Sequence, residues 1–118
     1  LPLRWHGRAD DDKLRFLYNQ SDFTVYPSLD EGFGLPVAES LWHHRPCVCS
    51  RVGALIERAE FGGCLLVDPD NWKSIASGIE LMITNQPLRQ KLVDQTQSRP
   101  IRYWQNVADE LIAYLQNQ

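Results

Sequence analysis

Four short apolar runs, separated by segments of helical period, constrain this chain more than any other feature. The runs are Leu3-Arg4-Trp5-His6, Phe23-Thr24-Val25-Tyr26, Pro46-Cys47-Val48-Cys49-Ser50 and Cys64-Leu65-Leu66-Val67. Turn formers close them: Gly7, Pro27-Ser28, Val52-Gly53 and Asp68-Pro69-Asp70. Between the first two lies Asp10 to Gln20, where Leu14, Leu17 and Tyr18 recur at helical spacing and Asp10-Asp11-Asp12 suits a helix N-terminus. A second helix starts near Leu35 or Pro36, with Val37, Ala38, Leu41 and Trp42 as its apolar arc and Arg45-Pro46 as its stop. Ala54 to Phe61 is a short helical or irregular connection, broken by Gly62-Gly63. From Trp72 onward the pattern is helical only, interrupted at Asn85-Gln86-Pro87 and Ser98-Arg99-Pro100, with a last helix from Trp104. Strands alternating with helices predict an α/β domain with a parallel sheet, followed by a helical C-terminal part. The first run reads either as an outer strand or as a sign that the sheet has an earlier part.

The chain has 118 residues, the length of one domain, with 43% hydrophobic and 23% charged residues, the mix of a globular fold. Its formal net charge is -3 and its pI about 5.5, which speaks against a general grip on nucleic acid. The apolar runs are too short to cross a bilayer, and no secretory pattern opens the sequence. Cys47, Cys49 and Cys64 are too few for a disulfide scaffold, and no set of further ligands at metal-binding spacing accompanies them. They read as buried, reduced thiols of a cytoplasmic protein.

The second strand leads into Glu31-Gly32-Phe33-Gly34-Leu35-Pro36-Val37-Ala38-Glu39. Strand-to-helix junctions of this kind are where open α/β sheets bind ligands. Glycines let a backbone approach a ligand closely, and the start of a helix offers free N–H groups and a positive dipole end. Glu31 stands at the carboxyl end of the strand. Glu39 falls about 200° round the helix from Val37 at about 100° per residue, off the packed face. A carboxylate accepts two hydroxyls well, as a sugar diol presents them. Hydroxyls at both ends and phosphate between describe a nucleotide-sugar. The same residues also fit a plain helix start with surface glutamates.

The segment Asp30 to Glu39 resembles the motif of retaining GT-B glycosyltransferases of the family 4 type, two glutamates separated by seven residues within a stretch like EGFGLPxxE. The resemblance extends over nearly the whole chain. Ser21 to Ser28 is similar to the family's ADVFVxPS strand, Arg45 to Ser50 to GxPVVAS, and Val52 to Glu57 to VGGLPEV. Gly63 to Pro69 is similar to xGLLVDP, Pro87-Leu88-Arg89 to DPxLRxxL, and Tyr103-Trp104 to FSW. It implies a Rossmann-like sheet and makes residues 1–118 part of a C-terminal nucleotide-sugar-binding domain. By position it implies that Glu39 binds the ribose and that Glu31 is the catalytic carboxylate at the donor sugar. It implies that Gly32, Phe33, Gly34 and Leu35 line the sugar and diphosphate with their amides. It further implies sugar transfer with retention of configuration, no metal and no cofactor, a nucleotide-diphosphate-sugar as donor, and an acceptor that these residues do not specify.

Arg45 stands where the family usually has glycine, and Ile56 where it has proline. Arg45 lies past the helix, which favours a structural role. The family's arginine–lysine phosphate clamp and its N-terminal acceptor domain have no counterpart in these residues. The expectation is therefore half of an active site, inactive by itself and completed in the same or another chain, with peripheral membrane association possible through that other part. The alternative is a non-catalytic module that binds a nucleotide-sugar or a protein partner through an inherited half-fold. His43, one turn from Glu39, is within hydrogen-bond range of it, though a surface pair with His44 is the simpler account. His6 is read as a strand-end histidine, and Asp10-Asp11-Asp12 as a solvated helix start rather than a metal site.

Overall fold

A strand buried on both faces, β2 (Cys47–Ser50), forms the centre of the protein. The computed structural model describes residues 2–100 and 102–118. It contains α1 (Asp11–Gln20), β1 (Thr24–Tyr26), α2 (Leu35–Trp42), β2, α3 (Gly53–Ala59) and β3 (Cys64–Val67). Three helices follow: α4 (Trp72–Thr84), α5 (Gln86–Ser98) and α6 (Trp104–Gln116). The strands form one parallel sheet in the order β1-β2-β3, with Thr24 opposite Cys47 and Cys47 opposite Cys64. The result is the small α/β fold that the alternating pattern predicts.

Two apolar clusters hold the layers. Val37 and Leu41 of α2 and Leu55 of α3 pack with Cys47 and Cys49 on one sheet face. Val48, Val67, Met82 and Leu92 pack on the other, beneath α4 and α5. The alternation within β2 sends Cys47 and Cys49 one way and Val48 the other. Burial of each large aliphatic side chain here contributes roughly 1.5–3 kcal/mol. The three cysteines are free, Cys47 and Cys49 fully buried, and hydrogen bonding with the Cys47 and Cys64 sulfurs, followed by burial, pushes the Cys49 thiol up.

Close approach of α4 to the sheet needs Gly78. A Cβ there would lie 2.6 Å from Val67 Cγ1 and 3.2 Å from Val48 Cγ1. Side-chain caps mark three helix starts. Asp10 accepts from the Lys13 amide, Asn71 from that of Lys73 and Asn85 from that of Leu88. Two positive-φ glycines, Gly62 and Gly63, turn the chain from α3 into β3.

Two expectations are corrected. Leu3 to His6 is not a strand: residues 2–10 form no helix or sheet pairing, and Leu3 and Trp5 are 96% and 92% exposed. A strand exists only through its ladder, and no described residue pairs with this segment. Helix α2 also stops at Trp42, earlier than Arg45-Pro46 suggests, because His44 takes φ 56 to reverse the chain. Arg45 is structural, as its position implied. Its Nε donates to the Tyr18 carbonyl and its Nη2 to the Asn19 carbonyl, each at 2.9 Å, closing the end of α1.

Two stability measurements check this packing. Gly78→Ala gains about 1 kcal/mol of helix propensity but inserts a methyl where overpacking costs about 1–3 kcal/mol, so denaturant unfolding should show net destabilisation. Wild-type stability in that variant would contradict the close α4–sheet contact. Arg45→Ala should lower stability by about 1–2 kcal/mol through the two lost carbonyl contacts, and an unchanged unfolding midpoint would contradict the capping role.

Candidate functional site at the β1–α2 junction

The loop after β1 is fixed from below by α3. The Glu31 carbonyl oxygen would be 3.2 Å from a Cβ on Gly53, which itself has φ +39. Gly34, the N-cap of α2, has φ +74, and a Cβ there would be 2.5 Å from Leu55 Cδ2. Arg58 closes the loop from the side: its Nε donates to the Phe33 carbonyl at 3.1 Å, and its guanidinium lies 4.1 Å from the Phe33 ring centroid. Arg99 donates to the carbonyls of Arg58 and Gly62, each at 2.8 Å. Gly32 is different, because nothing lies within 4 Å of the position its Cβ would take. The fold demands glycine at Gly34, but it places no steric demand at Gly32.

Helix α2 begins with Leu35 and Pro36 and has no side-chain cap. Ala38 donates to the Gly34 carbonyl at 3.1 Å, so the amides of Leu35 and Val37 precede the first intrahelical bond. This is the end of a helix that favours an anion. Phe33 and Leu35 are exposed beside it.

Both motif carboxylates have a tyrosine. Tyr26, the last residue of β1, donates its hydroxyl to Glu31 Oε1. Glu39 is exposed, on the face of α2 away from Val37 and Leu41. The Tyr18 hydroxyl, arriving from α1, lies 3.2 Å from Glu39 Oε2 and 3.3 Å from the Pro36 carbonyl. Burial first, and the Glu39 carboxylate next, push the Tyr18 phenol up to about 12. The hydrogen bond to Glu31 is the main reason the Tyr26 phenol is raised as well. Both hydroxyls are protonated at neutral pH, as an ordinary tyrosine is, and the shifts reinforce that.

One buried hydroxyl anchors the helix that carries Glu39. Ser40 Oγ donates to the Arg45 carbonyl at 2.8 Å and lies 2.6 Å from Thr24 Oγ1. With its single proton committed, Ser40 accepts from Thr24, tying α2 to β1 and to the turn before β2. Tyr18, Tyr26, Ser40 and Arg58 are the residues that reasoning from sequence passed over. The two tyrosines read as apolar helix and strand positions, and nothing in a linear pattern shows a hydroxyl reaching back to a glutamate.

The histidines do not join the site as direct partners of Glu39. His43 stacks on Tyr18, with ring centroids 4.9 Å apart and planes 10° apart. His6 lies in the irregular N-terminal segment and is exposed. Among the described residues, no group of three or more His, Cys, Asp or Glu side chains could hold a metal ion. Asp10 to Asp12 form a helix start, with Asp10 as the cap. No helix among the described residues is long and apolar enough to cross a membrane.

Comparison with known proteins shows the family. Residues 2–99 match the family model described as glycosyl transferases group 1. The chain is 39% identical over 77 residues to the O-antigen chain mannosyltransferase B of Escherichia coli, covering 65% of this chain and 20% of that protein. It is 33% identical over 110 residues to an uncharacterized glycosyltransferase of Methanocaldococcus jannaschii, covering 90% of this chain and 28% of the relative. The MMP alpha-(1->4)-mannosyltransferase of Mycolicibacterium hassiacum is 31% identical over 107 residues, 87% of this chain and 26% of that protein. The chain thus spans between 20% and 28% of the length of these relatives. With the family model covering most of its length, this α/β chain belongs to the glycosyl transferases group 1 family.

Proposed function

We propose that this chain forms the donor-binding part of a retaining GT-B transferase, gripping a nucleotide-diphosphate-sugar at the β1–α2 junction. The observation that carries the reading is the flanking of an uncapped helix start by two carboxylates, Glu31 and Glu39, with an open approach at Gly32. The diphosphate lies against the amides of Gly32, Phe33, Gly34 and Leu35 and the positive end of α2. Glu39 accepts the ribose hydroxyls. Glu31 accepts hydroxyls of the donor sugar and faces the positive charge that develops there as the bond to phosphate breaks. The helix end stabilises the leaving diphosphate, an electrostatic contribution that grows towards the transition state.

The acceptor enters from a separate domain, in the same or another chain, which closes over the donor and supplies cationic groups to the phosphates. Two of the relatives described above are named mannosyltransferases, so a hexose such as mannose is the first donor sugar to test.

Titration calorimetry with UDP, GDP and ADP tests the site. One of them should bind, and Glu39→Gln should weaken that binding roughly 10-fold, the loss of one charge-assisted hydrogen bond. Gly32→Ala should leave unfolding unchanged while weakening the same ligand, because its methyl meets only the space the ligand takes. Binding that survives both substitutions would refute this site.

A further inference from the structure

Each motif carboxylate is engaged by one phenol, and the two phenols come from different elements. Tyr18 projects from α1 and Tyr26 ends β1. A free glutamate side chain samples several rotamers, so its two oxygens face a ligand only part of the time. A hydroxyl donor on one oxygen selects a rotamer and leaves the remaining lone pairs for a diol. We propose that Tyr18 and Tyr26 are positioning residues, Tyr18 orienting Glu39 towards the ribose and Tyr26 orienting Glu31 towards the donor sugar. This inference rests on the donor-binding reading given above.

The geometry favours orientation over simple packing. The Tyr18 ring is already held by its stack on His43, so its hydroxyl is not needed to place the ring. That hydroxyl has one proton and two acceptors within reach, Glu39 Oε2 at 3.2 Å and the Pro36 carbonyl at 3.3 Å. The charged carboxylate is the stronger acceptor. Catalytic hydrogen bonds that are long in a free protein shorten when the ligand completes the site. Tyr26 acts at shorter range, from the end of the strand onto the loop that follows it. A tyrosine phenol is already protonated at neutral pH, and burial and the glutamates shift both phenols further that way, so each remains a hydrogen-bond donor beside its glutamate.

The test separates the two arms by ligand. UDP, GDP and ADP, and the 2′-deoxy counterpart of the tightest binder, are titrated into the wild-type chain and into Tyr18→Phe and Glu39→Gln. The wild type should prefer the ribose form roughly 10-fold, and Tyr18→Phe should lose most of that preference while keeping its affinity for the 2′-deoxy form. A residue that only supported the fold would weaken both ligands alike. The phenylalanine keeps the stack on His43, and an unchanged thermal transition verifies that the variant is folded. In the second arm, UDP-glucose, GDP-mannose and ADP-glucose are compared with their parent diphosphates. Tyr26→Phe should reduce the affinity that the sugar adds and leave the diphosphate unchanged.

If Glu39→Gln abolishes the ribose preference and Tyr18→Phe retains it, the positioning role of Tyr18 is overturned while the site stands. If Tyr26→Phe leaves the sugar's contribution intact, that half is overturned too. If Glu39→Gln itself retains the preference, the donor-binding reading fails, and the inference with it.

Discussion

Both pairings of the sheet run through β2: among the described residues, β1 and β3 each pair with Cys47–Ser50, which lies between them. All four residues of β2 are buried. A parallel strand in this position must be apolar on both faces and narrow enough for helices above and below. Cysteine and valine meet that demand, Ser50 ends the strand with a buried hydroxyl that has no hydrogen-bond partner among the described residues, and Gly78 lets α4 approach the sheet closely. Helices α2 and α3 sit on the other face because the chain must cross over to enter each parallel neighbour. The junction that carries Glu31 is therefore a product of the central strand: the crossover after β1 has to begin at its carboxyl end, beside the start of α3.

The polar contacts at the junction divide into those that build it and those that face outward. The buried Ser40 hydroxyl joins Thr24 to the Arg45 carbonyl and ties α2 to β1 and to the turn before β2. Leu55 beneath Gly34 and Arg58 beside Phe33 set the path of the loop. Glu31, Glu39 and the free amides at the start of α2 remain directed outward. A site assembled in this way has its backbone fixed by α3 and its acidic side chains steered by Tyr18 and Tyr26. The two kinds of control are carried by different residues, so a substitution can disturb one without the other.

Much of this was legible in the sequence, and the reasons are local. The run Cys64 to Val67 is closed by turn formers and became β3 with those bounds. The acidic run from Asp10 and the break at Asn85-Gln86-Pro87 announced two helix starts because capping depends on residues only two or three positions away. The outward direction of Glu39 followed from helical geometry alone. What could not be read was relational. Leu3 to His6 has strand character but no partner among the described residues, and sheet pairing is a property of two segments. The end of α2 was displaced because His44 accepts a left-handed backbone, which its sequence neighbours do not signal. Tyr18 lies 21 residues from Glu39, and only the packing of α1 against α2 brings them together.

That packing has a dynamic consequence. Helix α1 buries none of its side chains completely. Its attachment is largely polar: the Arg45 guanidinium on its last carbonyls, the Tyr18 hydroxyl, and the stacked ring of His43. With no side chain fully buried, α1 is expected to open more readily than the sheet, which amide hydrogen exchange would register as weaker protection of its amides. Each opening removes the phenol from Glu39. On the donor-binding reading, an affinity that depends on a steered Glu39 is scaled by the fraction of time that α1 is seated.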